Sequence, residues 1–177
     1  MKKLKTIELK RISLEEFKLI DKNPVNVVLD NVRSAHNVGS IFRICDAFLI
    51  KKMFLCGITP CPPSKEIRKT ALGASDSVNW EYQTDTYKLL KKLKKEGDTI
   101  VSIEQTDKSI NLDQIETSNN NLTIVFGNEI NGVCEKILKN SDQIIEIPQF
   151  GTKHSLNVSV AAGIVLWEIN KKLRVKK

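Results

Sequence analysis

The sequence predicts an α/β domain, with a mostly parallel sheet flanked by helices. Short apolar runs, several rich in β-branched residues, alternate along the chain with segments whose apolar residues recur at helical spacing. Three runs are followed by glycine and polar residues, as occurs where parallel strands end and ligands bind. With 177 residues, 41% of them apolar and 28% charged, the chain suits one globular domain with a substantial core.

The elements follow from local signals. Ser13 and Glu16 have capping-box spacing, so a short helix is expected from there to about Asp21. A helix over Thr84–Glu96 would turn Tyr87, Leu90 and Leu93 inward and end at Gly97. The predicted strands are Val25–Leu29, Lys52–Leu55, Ser77–Tyr82, Thr99–Ile103, Leu122–Phe126 and Ile144–Ile147. The other predicted helices are Asn37–Phe48, Lys65–Leu72, Asn131–Lys139 and a last one from near Ser155. Residues 1–22 are expected to form a short basic, helical extension ahead of a single domain, 23–177.

Composition excludes several classes of protein. No run approaches the roughly 18 apolar residues of a membrane span, and the basic first residues lack an apolar signal core, so a cytoplasmic protein is expected. The cysteines are scattered without a C-x2-C pair and the chain has only two histidines, so no metal site is expected. The net charge of +7 is compatible with a nucleic-acid partner, although solubility also explains a modest excess.

Three segments combine glycine with polar side chains. The first, residues 30–43, places Asn37, Ser40 and Arg43 three and six positions apart, with Gly39 allowing close backbone approach. The second, residues 127–132, is not a phosphate-binding loop, because Val133 and Cys134 follow where Lys and Ser or Thr are required. No G-x-G-x-x-G motif occurs, which argues against a dinucleotide site.

The third segment, residues 147–162, is the most informative. A strand ends at Pro148, a loop follows, and a helix is expected to begin near Ser155 with Asn157 and Ser159 in its first turns. The helix is apolar on nearly every face, which is typical of a buried helix. Polar groups at its amino-terminal end suit a polar ligand. The alternative is a structural helix in which Ser155 is an ordinary N-cap.

Together the three segments resemble the SpoU (TrmH-type) ribose methyltransferases of the SPOUT superfamily. The family motif N-x-G-x-x-x-R is matched by Asn37, Gly39 and Arg43, and G-x-E-x-x-G by Gly127, Glu129 and Gly132. The motif I-P-x-x-G-x-x-x-S-L-N-V-S-x-A is matched over residues 147–161. The likeness spans about residues 25–170, with one departure at Gln149, where many members carry Met.

The resemblance implies a fold with a deep carboxy-terminal trefoil knot and an S-adenosyl-L-methionine cofactor held largely by backbone groups. Carried onto this chain, the cofactor contacts fall at Gly127, Ile147 and Leu156, with Ile103 as a further neighbour. It also implies a homodimer with each site completed across the interface. The expected dimer interface, here called the seam, is formed by the helix Asn37–Phe48 and the helix from Ser155. Because the residues from Ile164 to Trp167 are all apolar, the sequence does not show which side of the second helix faces the partner.

The implied reaction is methyl transfer to a ribose 2′-hydroxyl of RNA, with tRNA favoured over rRNA because compact members without an added domain often act on tRNA. The resemblance gives Arg43 the central role, either as base or as a clamp that orients phosphate and stabilises developing alkoxide charge. The other expected site residues are Asn37, Glu129, Ser155 and Asn157.

Alternatives remain for each residue type and for the function. Asn37 and Asn157 are also explained by loop capping, Glu129 by a surface ion pair, and a neutral His36 or His154 would be a possible base. The alternative function is a noncatalytic RNA-binding or assembly factor that retains the fold.

Overall fold

Seven parallel strands form one sheet in the structure, a computed structural model that describes residues 1–117 and 121–175. In chain order the strands are β1 (Asn23–Asp30), β2 (Ile50–Cys56), β3 (Trp80–Gln83), β4 (Thr99–Ile103), β5 (Ile110–Asn111), β6 (Leu122–Phe126) and β7 (Gln143–Glu146). Their spatial order is β3-β2-β1-β6-β4-β7-β5, and every pairing between them is parallel. Strands β2 and β3 therefore lie on one side of β1, and all later strands lie on its other side.

Helices cover both faces of the sheet. They are α1 (Leu14–Leu19), α2 (Ala35–Ala47), α3 (Lys65–Ala71), α4 (Ala74–Ser77), α5 (Thr86–Lys95), α6 (Glu135–Leu138) and α7 (Val158–Val175), with 3-10 turns at Thr6–Leu9 and Leu112–Gln114. The larger core lies against α2 and α7 and includes Phe42, Phe126 and Leu166. A second core on the opposite face packs α5 and α6 through Leu90, Leu93 and Ile137. The result is three layers, the α/β architecture that the sequence predicts.

Most element boundaries lie within a few residues of the predictions, and β4 and β6 match them. The Ser13–Glu16 capping box is confirmed at the start of α1, and its Phe17 is buried in the larger core. Gly97 has a φ of +96° directly after the end of α5. Tyr87 of α5 is half-buried, whereas Leu89 is buried in its place beside Leu90 and Leu93.

Two predicted elements are wrong in extent, and one region has elements that were not predicted. Ser77 closes the short helix α4 and the strand begins only at Trp80, so the predicted strand Ser77–Tyr82 is too long. The predicted helix Asn131–Lys139 is a turn followed by the four-residue α6. No strand or helix was predicted between Ile103 and Leu122, where the structure has β5 and a 3-10 turn. Residues 118–120 of this region lie outside the described chain.

The last helix begins at Val158 rather than near Ser155. Asn157 Oδ1 accepts hydrogen bonds from the Ser159 amide at 2.9 Å and from Ser159 Oγ at 2.6 Å, so Asn157 caps the first turn. Ser155 therefore lies in the preceding loop. Helix α7 continues through residue 175, and Lys172 Nζ donates to the carbonyls of Asp113 and Ile115 at 2.5 and 3.0 Å.

Helix α7 is buried on one side only. Val165 and Leu166 are fully buried in the protomer's own core. Val160, Ile164 and Trp167 recur at positions i, i+4 and i+7 and are 50%, 38% and 57% exposed. This set, the α7 apolar stripe, corrects the prediction of a helix buried all round. Trp167 also meets Phe48, just beyond α2, with ring centroids 6.0 Å apart.

Gly39 of the first motif is a packing glycine. A Cβ at this position would lie 2.1 Å from Thr70 Oγ1 and 2.5 Å from the Ile67 carbonyl oxygen, both in α3. The close approach that was predicted from this glycine is therefore between helices α2 and α3, and we find no ligand role for it.

Candidate active site

A pocket of about 460 Å³ opens at the carboxyl ends of β6, β4 and β7. Of these strands, β6 pairs with β1, where the chain reverses its direction of sheet building, and open α/β sheets bind ligands at such a position. The pocket's size is within the usual range for small-molecule and cofactor sites. Its walls come from the ends of the three strands, from the 127–132 turn and from the loop that leads into α7.

All four residues predicted to contact a cofactor line this pocket. They are Ile103 at the end of β4, Gly127 after β6, Ile147 after β7 and Leu156 in the loop before α7. Of the residues predicted to act in catalysis, Glu129, Ser155 and Asn157 also line the pocket. Residues more than 50 positions apart in the sequence are thus brought to one edge of the sheet.

A hydrogen-bonded network joins the three motifs beside the pocket. Glu129 accepts hydrogen bonds from the backbone amides of Arg33 and Ser34 at 2.9 and 3.1 Å and from Asn37 Nδ2 at 3.2 Å. Asn157 Nδ2 in turn donates to Asn37 Oδ1 at 3.1 Å. Asn37 thus uses both ends of its amide, one toward each neighbouring motif. The capping alternative holds in part for Asn157, which caps α7 and also bonds Asn37. The ion-pair alternative does not fit Glu129, because its hydrogen-bond partners are amides.

The Glu129 carboxylate is held in its charged form. Partial burial by itself raises the pKa of this carboxyl group, but hydrogen bonds outweigh that effect and leave the pKa below its ordinary value. The donors are the backbone amides of Arg33, Glu129 itself and Ser34, followed by the Asn37 side chain. Glu129 therefore supplies a fixed negative charge to the edge of the pocket.

The turn that carries Glu129 is rigid for identifiable reasons. Asn128 and Gly132 exchange backbone hydrogen bonds of 2.9 and 3.1 Å, and Asn128 Oδ1 accepts from the amides of Ile130 and Asn131. Asn128 Nδ2 donates to the Asn31 carbonyl at 2.7 Å, which ties the turn to the end of β1. Gly127 lies where a Cβ would be 2.2 Å from the carbonyl carbon of Gly132, so the turn folds back directly onto it.

Two carboxylates that the sequence analysis did not single out also line the pocket. Glu104 follows β4 and accepts from the Val133 amide at 2.8 Å, and Glu146 ends β7 and accepts from Ser109 Oγ at 2.8 Å. With Glu129 they make three acidic groups, and none of the described residues lining the pocket is Lys or Arg. In a chain of net charge +7 this pocket is locally acidic. Glu104 directly follows the predicted strand Thr99–Ile103, which is a signal for it, whereas Glu146 lies inside the predicted strand Ile144–Ile147 and had no such signal.

Arg43 is separate from this network. It is exposed on α2, and its side chain has no hydrogen bond or ion pair with any residue in the described ranges. Six residues of α-helix rotate the chain by about 600°, which is about 120° short of two full turns, and advance it by about 9 Å, so Arg43 is directed away from the side of α2 that presents Asn37. His36 lies on α2 outside the pocket, whereas His154 lines the pocket beside Ser155.

Neither a metal cluster nor a membrane span is found in the described chain. Over residues 1–117 and 121–175, no group of three His, Cys, Asp or Glu side chains is arranged to hold a metal ion. In the same ranges no helix is both long enough and apolar enough to cross a bilayer.

The comparisons with known proteins identify close relatives. The model of the SpoU rRNA methylase family matches residues 24–167, well over half of the chain. A tRNA (guanosine(18)-2′-O)-methyltransferase of Borreliella burgdorferi is 28% identical over 171 residues, covering 93% of this chain and 74% of the relative. Among solved structures, the Aquifex aeolicus TrmH/SpoU tRNA modifying enzyme superposes with a TM-score of 0.83 at 29% identity, covering 92% of this chain and 83% of the other. An AdoMet-bound rRNA methyltransferase of Sinorhizobium meliloti has a TM-score of 0.80 at 26% identity, covering 89% and 60%.

Proposed function

This chain belongs to the SpoU rRNA methylase family, and on that basis we propose that it is an S-adenosylmethionine-dependent methyltransferase of a ribose 2′-hydroxyl in RNA. The observation that carries the proposal is the pocket at the sheet edge, into which the second and third motifs converge, with Asn37 of the first motif bonded to both.

The pocket's composition fits this cofactor. Ile103, Ile147 and Leu156 give it apolar walls for an adenosine moiety, and backbone amides and carbonyls are groups able to read the edge of a base. Glu104 and Glu146 supply negative charge, which suits a cationic sulfonium and ammonium. When bound, the cofactor supplies an electrophilic methyl group.

The chain's own residues position the acceptor and manage its proton. Glu129, Asn37 and Asn157 form a preorganised set whose geometry is fixed before substrate arrives, so no binding energy is spent on ordering it. Ser155 and His154 line the pocket, where Ser155 offers a hydroxyl for orienting the ribose. A neutral His154 imidazole is able to accept the 2′-hydroxyl proton. Arg43 serves as a clamp that binds a substrate phosphate and stabilises developing alkoxide charge.

Because Arg43 is directed away from its own protomer's pocket, we place it in the site of a second copy. The α7 apolar stripe provides a surface for that copy, since Val160, Ile164 and Trp167 form one face beside α2. A homodimer built on this seam is the proposed active form. The carboxy-terminal trefoil knot implied by the family resemblance remains part of the proposal, as do the cytoplasmic location and the division of residues 1–22 from the main domain.

For the substrate we favour tRNA over rRNA. Two of the relatives described above are tRNA enzymes and match most of this chain over most of their own length. The rRNA methyltransferase is matched over a smaller share of its length.

Tritium transfer tests the proposal. Purified protein is incubated with methyl-labelled S-adenosylmethionine and with total tRNA or ribosomal RNA from cells lacking this gene. We expect transfer into tRNA. We also expect Arg43→Ala to lose turnover while keeping cofactor affinity, measured by calorimetry, because Arg43 does not line the pocket. No transfer into either RNA would favour the noncatalytic RNA-binding alternative, and loss of cofactor binding in Arg43→Ala would contradict this division of roles.

Mixed dimers test the position of Arg43. Arg43→Ala keeps an intact pocket and Gly127→Ala keeps an intact Arg43, so a mixed dimer has one complete site only if Arg43 acts across the seam. With random reassortment of protomers, about a quarter of wild-type activity should return on mixing the two inactive variants. Failure to recover activity in verified mixed dimers would place Arg43 in its own protomer's site.

A further inference from the structure

Phe150 is an aromatic side chain that the protomer leaves in solvent. It is 96% exposed, and among the described residues with large apolar side chains only the terminal Met1 is more exposed. It belongs to neither hydrophobic core. Its loop, residues 147–157, forms one wall of the pocket, so the ring lies beside the site.

The backbone that carries the ring lies next to the pocket. Gln149, the preceding residue, lines the pocket, and so does His154 on the far side of the same loop. Adjacent Cα atoms are about 3.8 Å apart, so the ring is anchored within one residue of the pocket wall. A nucleotide whose ribose enters the pocket mouth is therefore able to place its own base, or that of its neighbour, against the ring.

The surroundings of Phe150 are polar and basic. Thr152, Lys153 and His154 are all exposed in the same loop. The pocket itself carries the carboxylates of Glu104 and Glu146, which repel phosphate, so RNA phosphates are expected at the rim, where Lys153 is available. An exposed aromatic ring with a cationic neighbour, here Lys153, is an arrangement by which proteins bind unpaired nucleotides.

A second copy of the chain is a poorer match for this ring. Interface cores are depleted of charged residues, and the α7 apolar stripe, a separate surface that begins two residues into α7, already provides an apolar face of the usual kind.

We propose that Phe150 is a stacking platform for an unpaired nucleobase at or next to the ribose that is methylated. This inference rests on the proposed function, since it requires an RNA substrate at the pocket. It assigns to the loop a role in substrate binding that is distinct from the cofactor contacts of Ile147 and Leu156.

The test compares Phe150→Ala, Phe150→Leu and Phe150→Tyr with the exposed-leucine control Leu19→Ala on α1. Affinity for total tRNA is measured by filter binding at fixed salt, cofactor affinity by calorimetry, and oligomeric state by sedimentation. Loss of one stacked base should weaken tRNA binding by about 5- to 100-fold in Phe150→Ala. Phe150→Leu should behave like Phe150→Ala, because an aliphatic side chain has no π-face, whereas Phe150→Tyr and Leu19→Ala should stay within about twofold of wild type. Cofactor affinity should not change.

The outcomes separate this inference from the proposed function. If wild type binds cofactor and tRNA and Phe150→Ala binds both equally well, the stacking proposal is wrong. The methyltransferase proposal is not affected by that result. Phe150→Leu that retains wild-type affinity also overturns the stacking proposal, because simple apolar contact would then suffice. Dissociation of a wild-type dimer by Phe150→Ala would assign the ring to the partner protomer instead. Wild type that binds no RNA overturns both proposals.

Discussion

Gly127→Ala is the substitution whose consequence is best defined by the structure. The added Cβ would lie 2.2 Å from the carbonyl carbon of Gly132, 2.3 Å from the Val133 nitrogen and 2.4 Å from the Gly132 carbonyl oxygen. All three are backbone atoms, so no side chain can rotate away. Reaching an ordinary contact of 3.4 Å requires the 128–132 turn to move by about 1.2 Å, the difference between 3.4 and 2.2 Å. That turn carries Glu129, whose bonds to Arg33, Ser34 and Asn37 depend on its position.

The expected loss is about 100-fold in activity, because a shift of about 1 Å in a preorganised site costs that much. Overpacking should also lower the unfolding free energy by about 1–3 kcal/mol. Gly151→Ala is the matched control, since a Cβ there meets nothing within 4 Å. Methyl transfer, calorimetry with S-adenosylmethionine and thermal unfolding would be measured on both variants. Wild-type activity and cofactor affinity in Gly127→Ala would contradict this expectation, and so would equal damage in Gly151→Ala.

Three further predictions concern charge, assembly and RNA binding. The pKa of Glu129 is lowered in the folded chain, so its stabilising effect is present above its unfolded pKa of about 4.3 and is lost as pH falls through the lower folded value. Urea unfolding at a series of pH values should show that Glu129→Gln loses less unfolding free energy than wild type as pH falls. Identical plots of unfolding free energy against pH for the two proteins would contradict this. Trp167→Asp would place an unpaired charge in the seam and should dissociate the dimer in sedimentation experiments, whereas Leu19→Asp on α1 should not. A fully active wild-type monomer would contradict the proposed seam. Finally, tRNA affinity should fall steeply as the salt concentration rises. Replacing Lys91 and Lys95 of the exposed α5 face by Gln should lower the slope of log K against log salt by about 0.7 for each lost phosphate contact. A slope that does not change would mean that this face is only solvated.

The sheet could be predicted because its signal is local. Buried parallel strands are apolar runs of five or so residues, and the stretches Thr99–Ile103 and Leu122–Phe126 carry that signal within themselves. The boundaries of helices were harder, because the loop before α7 contains two side chains able to cap it. Asn157 caps the helix and Ser155 does not, because it is Asn157 Oδ1 that reaches the Ser159 amide and hydroxyl.

The pocket lining was predictable from motif residues, but its charge was not. Glu104 immediately follows Ile103, which was selected, yet nothing in the sequence says that its side chain would bond the Val133 amide, directly after the 127–132 turn. The same limit applies to α7, where apolar residues in succession conceal the difference between buried Leu166 and exposed Trp167. Only the packing of the sheet against the helix decides which side is covered.

The central claim is that this chain methylates a ribose 2′-hydroxyl of RNA. Its most direct test is to incubate the purified protein with S-adenosylmethionine and total tRNA from cells lacking the gene, digest the RNA to nucleosides and analyse them by mass spectrometry. One 2′-O-methylnucleoside should appear with wild type and be absent with Gly127→Ala. A methyl group found on a base, or no new methylated nucleoside from tRNA or ribosomal RNA, would contradict it.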